Sequence, residues 1–197
     1  MSDEAPPIGR VKAPNRSALE ASVADLLSAA GIGAHPELTK TPARVAEFWE
    51  ETLLSGYDED PSEILAKILP TTGASVVTLT GIPFHSVCPH HLVPYFGVAH
   101  VAYEPDGGIV GLGALERLVN ALGRRLILQE NLCEAIADAL MEHLGAKGAA
   151  CCLEARHLCL ALRGREPRST KLYTRVARGS LQGRPDVLPP TGAIYHD

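Results

Sequence analysis

Long apolar runs, strong net charge, internal repeats and an even set of cysteines are all missing from this chain, and each absence narrows what it can be. No apolar run reaches the roughly 18 residues of a membrane span, and the N-terminus lacks the apolar core of a secretion signal. The expectation is a cytoplasmic protein with no membrane partner. A formal charge of only −5 gives no bulk attraction for nucleic acid or anionic lipid, so an anionic ligand has to be held by local arginines. Five cysteines cannot all pair, and the adjacent Cys151 and Cys152 face opposite sides of a strand. That argues against a disulfide framework and for free or metal-bound thiols in a reducing compartment. The apolar share of 46% against 21% charged is that of a globular chain with room for one domain and a helical extension.

What is present falls into a helical part and a strand-rich part. Residues 1–16 carry Pro6, Pro7 and Pro14 without periodicity and read as a mobile arm. Ser17-x-x-Glu20 reads as a capping box opening a helix with the stripe Leu19, Val23, Leu26, Leu27 and Ala30, stopped by Gly31. Thr41-Pro42 starts a second helix with Val45, Phe48, Trp49 and Leu53 on one side and Gly56 as the stop. Asp60-Pro61 starts a third through Ile64, Leu65 and Ile68, closing a helical region over 17–70.

Strand patterns take over in 75–178. They are expected at Val76 to Thr80 and at Leu92 to Tyr103, with Phe96, Val98, His100 and Ala102 on one face of the second. The turn Pro105-Asp106-Gly107-Gly108 leads into Ile109-Val110. Two helices follow, one carrying Leu115, Leu118, Val119 and Leu122, the other Leu132, Ile136, Ala139 and Leu140. Further strands are expected at Ala149 to Leu162 and around Lys171 to Ala177, before an irregular tail over 179–197. The order β-β-α-α-β-β behind a helical extension implies an α+β fold with an antiparallel sheet.

The chemistry concentrates at Cys88-Pro89-His90-His91. A Cys and a His three residues apart can close on one ion from a single tight loop, and His157-Leu158-Cys159 is the best source of the remaining ligands, since i and i+2 of a strand share a face. Three protein ligands with one open position are the pattern of a catalytic zinc site, whereas structural sites close with four. Taken singly, each of these residues is as well explained as an ordinary core cysteine or a satisfied histidine; the clustering shifts the balance.

Five strings occur in order: Lys40-Thr41-Pro42-x-Arg44-Val45-Ala46, Cys88-x-His90-His91, Val110-Gly111-Leu112, Arg124-Arg125-Leu126 with Gln129-Glu130, and His157-x-Cys159-x-x-x-Arg163-Gly164. Together they resemble the GTP cyclohydrolase I family over roughly residues 36–165. The resemblance implies a tunnelling fold, two rings forming a homodecamer, and active sites at subunit boundaries. There the guanine ring of GTP is opened at C8 with release of formate, and dihydroneopterin triphosphate is the product. It implies Zn2+ on Cys88, His91 and Cys159, with His90 and His157 moving protons. It further implies that Glu130, Gln129 and the backbone of Val110, Gly111 and Leu112 read the guanine edge, that Gln129 also belongs to the catalytic group, and that Arg44, Arg117 and Arg163 hold phosphates.

The departures from that family pattern lie on the ribose and phosphate side. Glu47 stands where a phosphate-contacting lysine is usual, Gly113-Ala114 replaces Ser-Lys, and Pro89 replaces an acid inside the C-x-H-H loop. Arg165, Arg168 and Lys171 are candidates to compensate. Two other readings follow. One is a divergent relative that takes a different or less phosphorylated guanine nucleotide and stops at a ring-opened pyrimidine. The other is a non-catalytic nucleotide or pterin binder, against which the intact metal and histidine set argues.

Overall fold

The computed structural model describes residues 14–73, 75–163 and 170–190. Most of the expected N-terminal arm, Arg165, Arg168 and the end of the tail lie outside those residues. Helix α1 (Arg16–Ala29) is opened by Asn15, whose side-chain oxygen accepts from the Ala18 N–H at 3.0 Å. The cap is therefore Asn15 and not Ser17, which falls in the first turn. Helix α1 buries none of its residues, and Leu26 of its apolar stripe is 67% exposed. Its link to the rest of the chain is partly ionic: Arg16 pairs with Glu50 and Glu51.

Helix α2 (Thr41–Phe48) starts after Lys40 without a side-chain cap, and the chain then widens into a π-helical turn over Trp49–Leu53. Helix α3 (Pro61–Leu65) is capped by Asp60, which accepts from the Ser62 N–H at 2.8 Å. It stops before Ile68. The short strand β1 (Ile68–Pro70) pairs antiparallel with β4 (Gly108–Val110), so the expected extension of the helix to Ile68 is corrected. Pro70 has no N–H to continue a helix and biases the residue before it toward extended backbone.

The main sheet has the order β2-β3-β5-β6, all antiparallel: β2 (Val77–Val87), β3 (Pro94–Glu104), β5 (Gly148–His157) and β6 (Leu172–Gly179). Strand β2 runs well past Thr80. Its register shifts between Leu79 and Ile82, where Gly81 takes φ 74° and its N–H donates to His100 Nδ1 at 3.2 Å. Pro83 is tolerated because β2 is an edge strand. Helices α4 (Leu112–Gly123) and α5 (Gln129–His143) follow β4 and lie on one face of the sheet, and every residue of their expected stripes is buried.

The face of β3 that packs against those helices is Tyr95, Ala99, Val101 and Tyr103. The set expected from the pattern, Phe96, Val98, His100 and Ala102, occupies the opposite face. There Ala102, Ala150 and Cys152 are covered by Leu181, Val187 and Leu188 of the C-terminal segment. Cys151 and Cys152 do face opposite sides, one into each cluster. Strands β3 and β5 approach so closely at Gly97 that a Cβ there would sit 1.9 Å from the Glu154 carbonyl oxygen. Arg125 ties the helical region to this core: its guanidinium donates to the carbonyls of Gly56, Ala121 and Glu59 at 3.0–3.1 Å.

Candidate metal centre and active site

The Cys88-Pro89-His90-His91 loop is the tip of the β2–β3 hairpin. Strand pairing ends at Val87 and Pro94, and the Cys88 N–H donates to the Val93 carbonyl at 3.0 Å. The turn closes through the N–H groups of His91 and Leu92, both donating to the Cys88 carbonyl. Leu92 is held at φ 54°, a left-handed conformation that costs a leucine energy and that here directs the tip residues.

Cys88 Sγ lies 3.8 Å from His91 Nδ1, and the ligand atoms of Cys88, His91 and Cys159 all fall within 4.8 Å of one another. Two thiolates on one tetrahedral zinc ion, each at about 2.3 Å, are about 3.8 Å apart. The three side chains therefore need only small shifts to close on an ion, and their N and S donors suit a borderline-soft metal. Burial, followed by the neighbouring Cys88, pushes the Cys159 thiol up from its ordinary value. A cation between the two sulfurs would relieve that charge conflict.

Cys159 does not share a strand face with His157. Strand β5 ends at His157, paired with Tyr95, and Cys159 sits on the short helix α6 (Leu158–Ala161). Beyond that pair the β3 partner begins at Pro94, which cannot donate to a ladder, so the chain is released to turn. Both residues reach the site, by a helical turn in place of strand alternation.

A cavity of about 430 Å³ opens beside the thiols, and among its lining residues are Cys88, His90, His91, Gln129, Glu130, His157 and Cys159. His157 is clamped. Its ring stacks on Tyr95 with centroids 4.5 Å apart and planes within 2°, and its Nε2 lies 2.8 Å from Gln129 Oε1. Tyr95 is itself fixed by a hydrogen bond from its hydroxyl to the Ile127 carbonyl at 3.0 Å. Burial pulls the His157 imidazole below its ordinary pKa, with Glu130 opposing the shift. Glu130 is exposed in the first turn of α5, where the helix dipole favours a carboxylate. His90 is exposed at the hairpin tip, edge-on to His91.

The remaining expected residues do not line this cavity. Arg44 is exposed on α2. Val110 is buried in β4, its N–H donating to the Tyr103 hydroxyl at 3.3 Å, and Gly111 and Leu112 lead into α4 with Leu112 61% exposed. Arg117 makes a two-point pair with Glu59, at 2.7 and 2.6 Å. Arg163 lies near enough to Cys159 to favour its thiolate. Lys171, which does line the cavity, is paired with Glu154.

Sequence reasoning passed over Tyr95 and the wall made by Ile127, Leu128, Leu160 and Leu172. Tyr95 was legible in principle, as the first aromatic of the strand that follows the histidines. The wall was not, because apolar residues at helix and strand ends carry no pattern that separates a cavity wall from core.

An antiparallel sheet backed by two helices, with a thiol, imidazole and thiol converging at one end, defines an α+β protein with a site that fits a metal ion. The GTP cyclohydrolase I family matches residues 19–188, and the chain belongs to that family. It is similar to the proteins called GTP cyclohydrolase 1 from Campylobacter lari (45% identical, covering 82% of this chain and 86% of the relative) and Chromobacterium violaceum (42%, 85% and 84%). A third, from Ralstonia nicotianae, is 41% identical and covers 92% of this chain and 89% of the relative. Among solved structures, an apo archaeosine synthase QueF-Like matches 55% of this chain and 97% of its own at 17% identity with a TM-score of 0.46, too slight a likeness to carry weight. The β-β-α-α-β-β core is the α+β tunnelling fold that the resemblance implied.

Proposed function

We propose that the chain is a zinc-dependent enzyme that opens the guanine ring of GTP at C8, releases formate and proceeds to dihydroneopterin triphosphate. The observation that carries this is the convergence of Cys88, His91 and Cys159 within 4.8 Å, in a cavity also lined by His90, His157 and Glu130. Those three residues would hold a zinc ion, and the chemistry it would supply is acidification of water, lowering its pKa to about 7.

The protein groups do the rest. His90 and His157 line the same cavity as the ligand set and carry protons to and from the purine nitrogens, a task suited to imidazoles. The Glu130 carboxylate accepts from the N1 and N2 hydrogens of guanine, a donor pair that adenine lacks. The backbone of Val110 to Leu112 also reads the base, and Arg44, Arg117 and Arg163 hold the phosphates.

Because Arg44, Leu112 and Arg117 do not line the cavity of their own chain, we assign their contacts to sites completed by a neighbouring subunit in a homodecamer. The exposed Leu26 of α1, the exposed Phe48 and the exposed Leu112 support burial by other copies. Among the described residues no helix is long and apolar enough to cross a membrane. We place the enzyme in the cytoplasm.

An assay of formate and pteridine fluorescence from GTP, GMP and guanosine tests the proposal. Formate together with a fluorescent pteridine from GTP is the expected result. Formate without pteridine would restrict the reaction to ring opening, and neither product from metal-loaded protein would remove it. Those other outcomes are not favoured, since the ligands, the two histidines and the family are all in place.

A further inference from the structure

Gln129 is 1% exposed, and both ends of its side-chain amide are engaged within the protein. Its amide nitrogen lies 3.2 Å from the Leu153 carbonyl oxygen, 3.1 Å from the Leu172 carbonyl oxygen and 3.2 Å from Thr174 Oγ1. Carbonyl oxygens have no proton to give. That end of the amide must therefore be the NH2, since the flipped arrangement would press Gln129 Oε1 against two carbonyl oxygens with no hydrogen between them. The hydrogen-bond pattern thus assigns the amide, and the oxygen end faces His157 Nε2 at 2.8 Å.

An amide oxygen only accepts, so Nε2 is the nitrogen that carries the proton. Nδ1 has no hydrogen-bond partner among the described residues. We propose that Gln129 is a positioning residue that fixes His157 as the Nε2–H tautomer, so that Nδ1 is the nitrogen that exchanges protons with the substrate. The inference rests on the proposed proton-moving role of His157. In the imidazolium both nitrogens bear protons; the Nε2 proton stays in the bond to Gln129, and the Nδ1 proton is the one that leaves, which returns the ring to its neutral Nε2–H form. The Tyr95 ring, stacked on the imidazole and pinned through its own hydroxyl, prevents the rotation that would exchange the two nitrogens. This role differs from one in which the Gln129 side chain reads the guanine edge.

The first measurement needs no variant. Solid-state NMR of the full-length, zinc-loaded protein labelled with 15N in histidine, with His157 identified by difference against His157→Gln, should show a protonated Nε2 and an unprotonated Nδ1 at neutral pH. A proton on Nδ1 in the wild type would overturn the proposal, whether or not the protein turns over GTP. The second measurement uses Gln129→Leu, which keeps the volume and removes the acceptor. The expectation is an unchanged zinc content, a mixed tautomer signal and kcat for formate release lowered about 10- to 100-fold, with KM for GTP within about threefold. A raised KM with kcat unchanged would make Gln129 a substrate-reading group and refute the positioning role. If wild-type protein releases no formate from GTP, the reaction assignment fails, while the tautomer is still decided by the spectrum.

Discussion

The two ends of the candidate site are built in different ways. At the metal end, the β2–β3 hairpin tip, the first turn of α5 and the junction of β5 with α6 converge, and His157 is held by its stack on Tyr95 and by Gln129, whose amide is tied to fixed backbone. At the proposed phosphate end, Arg44 and Glu47 stand exposed on α2, Arg117 is occupied by Glu59, and a side chain at Gly113 would meet nothing within 4 Å. No ion pair joins Arg44 to Glu47 among the described residues, although both lie on one helix face. The contrast shows which groups the single chain prepares. Ligands and proton carriers must be placed to fractions of an ångström, and one core can do that. Charges that steer a flexible tail tolerate slack, so they need no such preparation.

The largest effect is expected at the metal end. Cys88→Ala or Cys159→Ala should lower bound zinc from about one equivalent per chain to almost none and abolish formate release. Metal analysis beside the assay checks this, and full occupancy in both variants would break the assignment. Next come His90→Ala and His157→Ala, which should keep zinc and lose about 10²- to 10⁴-fold in formate release. A zinc-loaded variant with the wild-type rate would deny that histidine a proton-carrying role.

The comparison extends to the helices. Leu140 is fully buried between α5 and the sheet, and Leu140→Ala should destabilise the fold by about 2–5 kcal/mol in urea denaturation. Leu26, mostly exposed on α1, should cost under about 0.5 kcal/mol within one chain on conversion to a polar residue. Leu26→Gln is instead expected to reduce oligomer size by sedimentation if α1 packs on another copy, and an unchanged oligomer would free α1 from the interface. A more modest effect than those at the metal end concerns the tail. Glu47→Lys with Ala114→Lys should raise the kcat/KM ratio of GTP over GMP about tenfold, or about 1.4 kcal/mol. An unchanged ratio would place phosphate selection on other basic residues.

Much of the fold was legible because its signals are periodic. The stripes of α4 and α5 were correct to the residue because the sheet buries that face, and burial is what periodic apolar placement encodes. Boundaries were less legible. Asn15 displaced Ser17 as a cap, β2 continued through Gly81 and Pro83 on an edge, and β5 gave way to α6 two residues before Cys159. In each case the deciding factor was a partner or the lack of one, which local pattern does not record. The C-terminal segment looked irregular, yet in its described residues a 3-10 turn forms at Pro185–Val187, and Leu181, Val187 and Leu188 cover the second face of the sheet.

The sequence by itself determined the ligand types and their spacing, the α+β order of elements and the family. Those depend on residue identity and local period, and both are written along the chain. Only the tertiary structure decided that Cys159 meets Cys88 from a helical turn, that Arg117 is paired with Glu59, and that Gln129 spends its amide on two backbone carbonyls and a histidine. Such facts depend on which groups are brought into contact from distant parts of the chain, and on the rule that a buried polar atom takes whatever partner the fold presents.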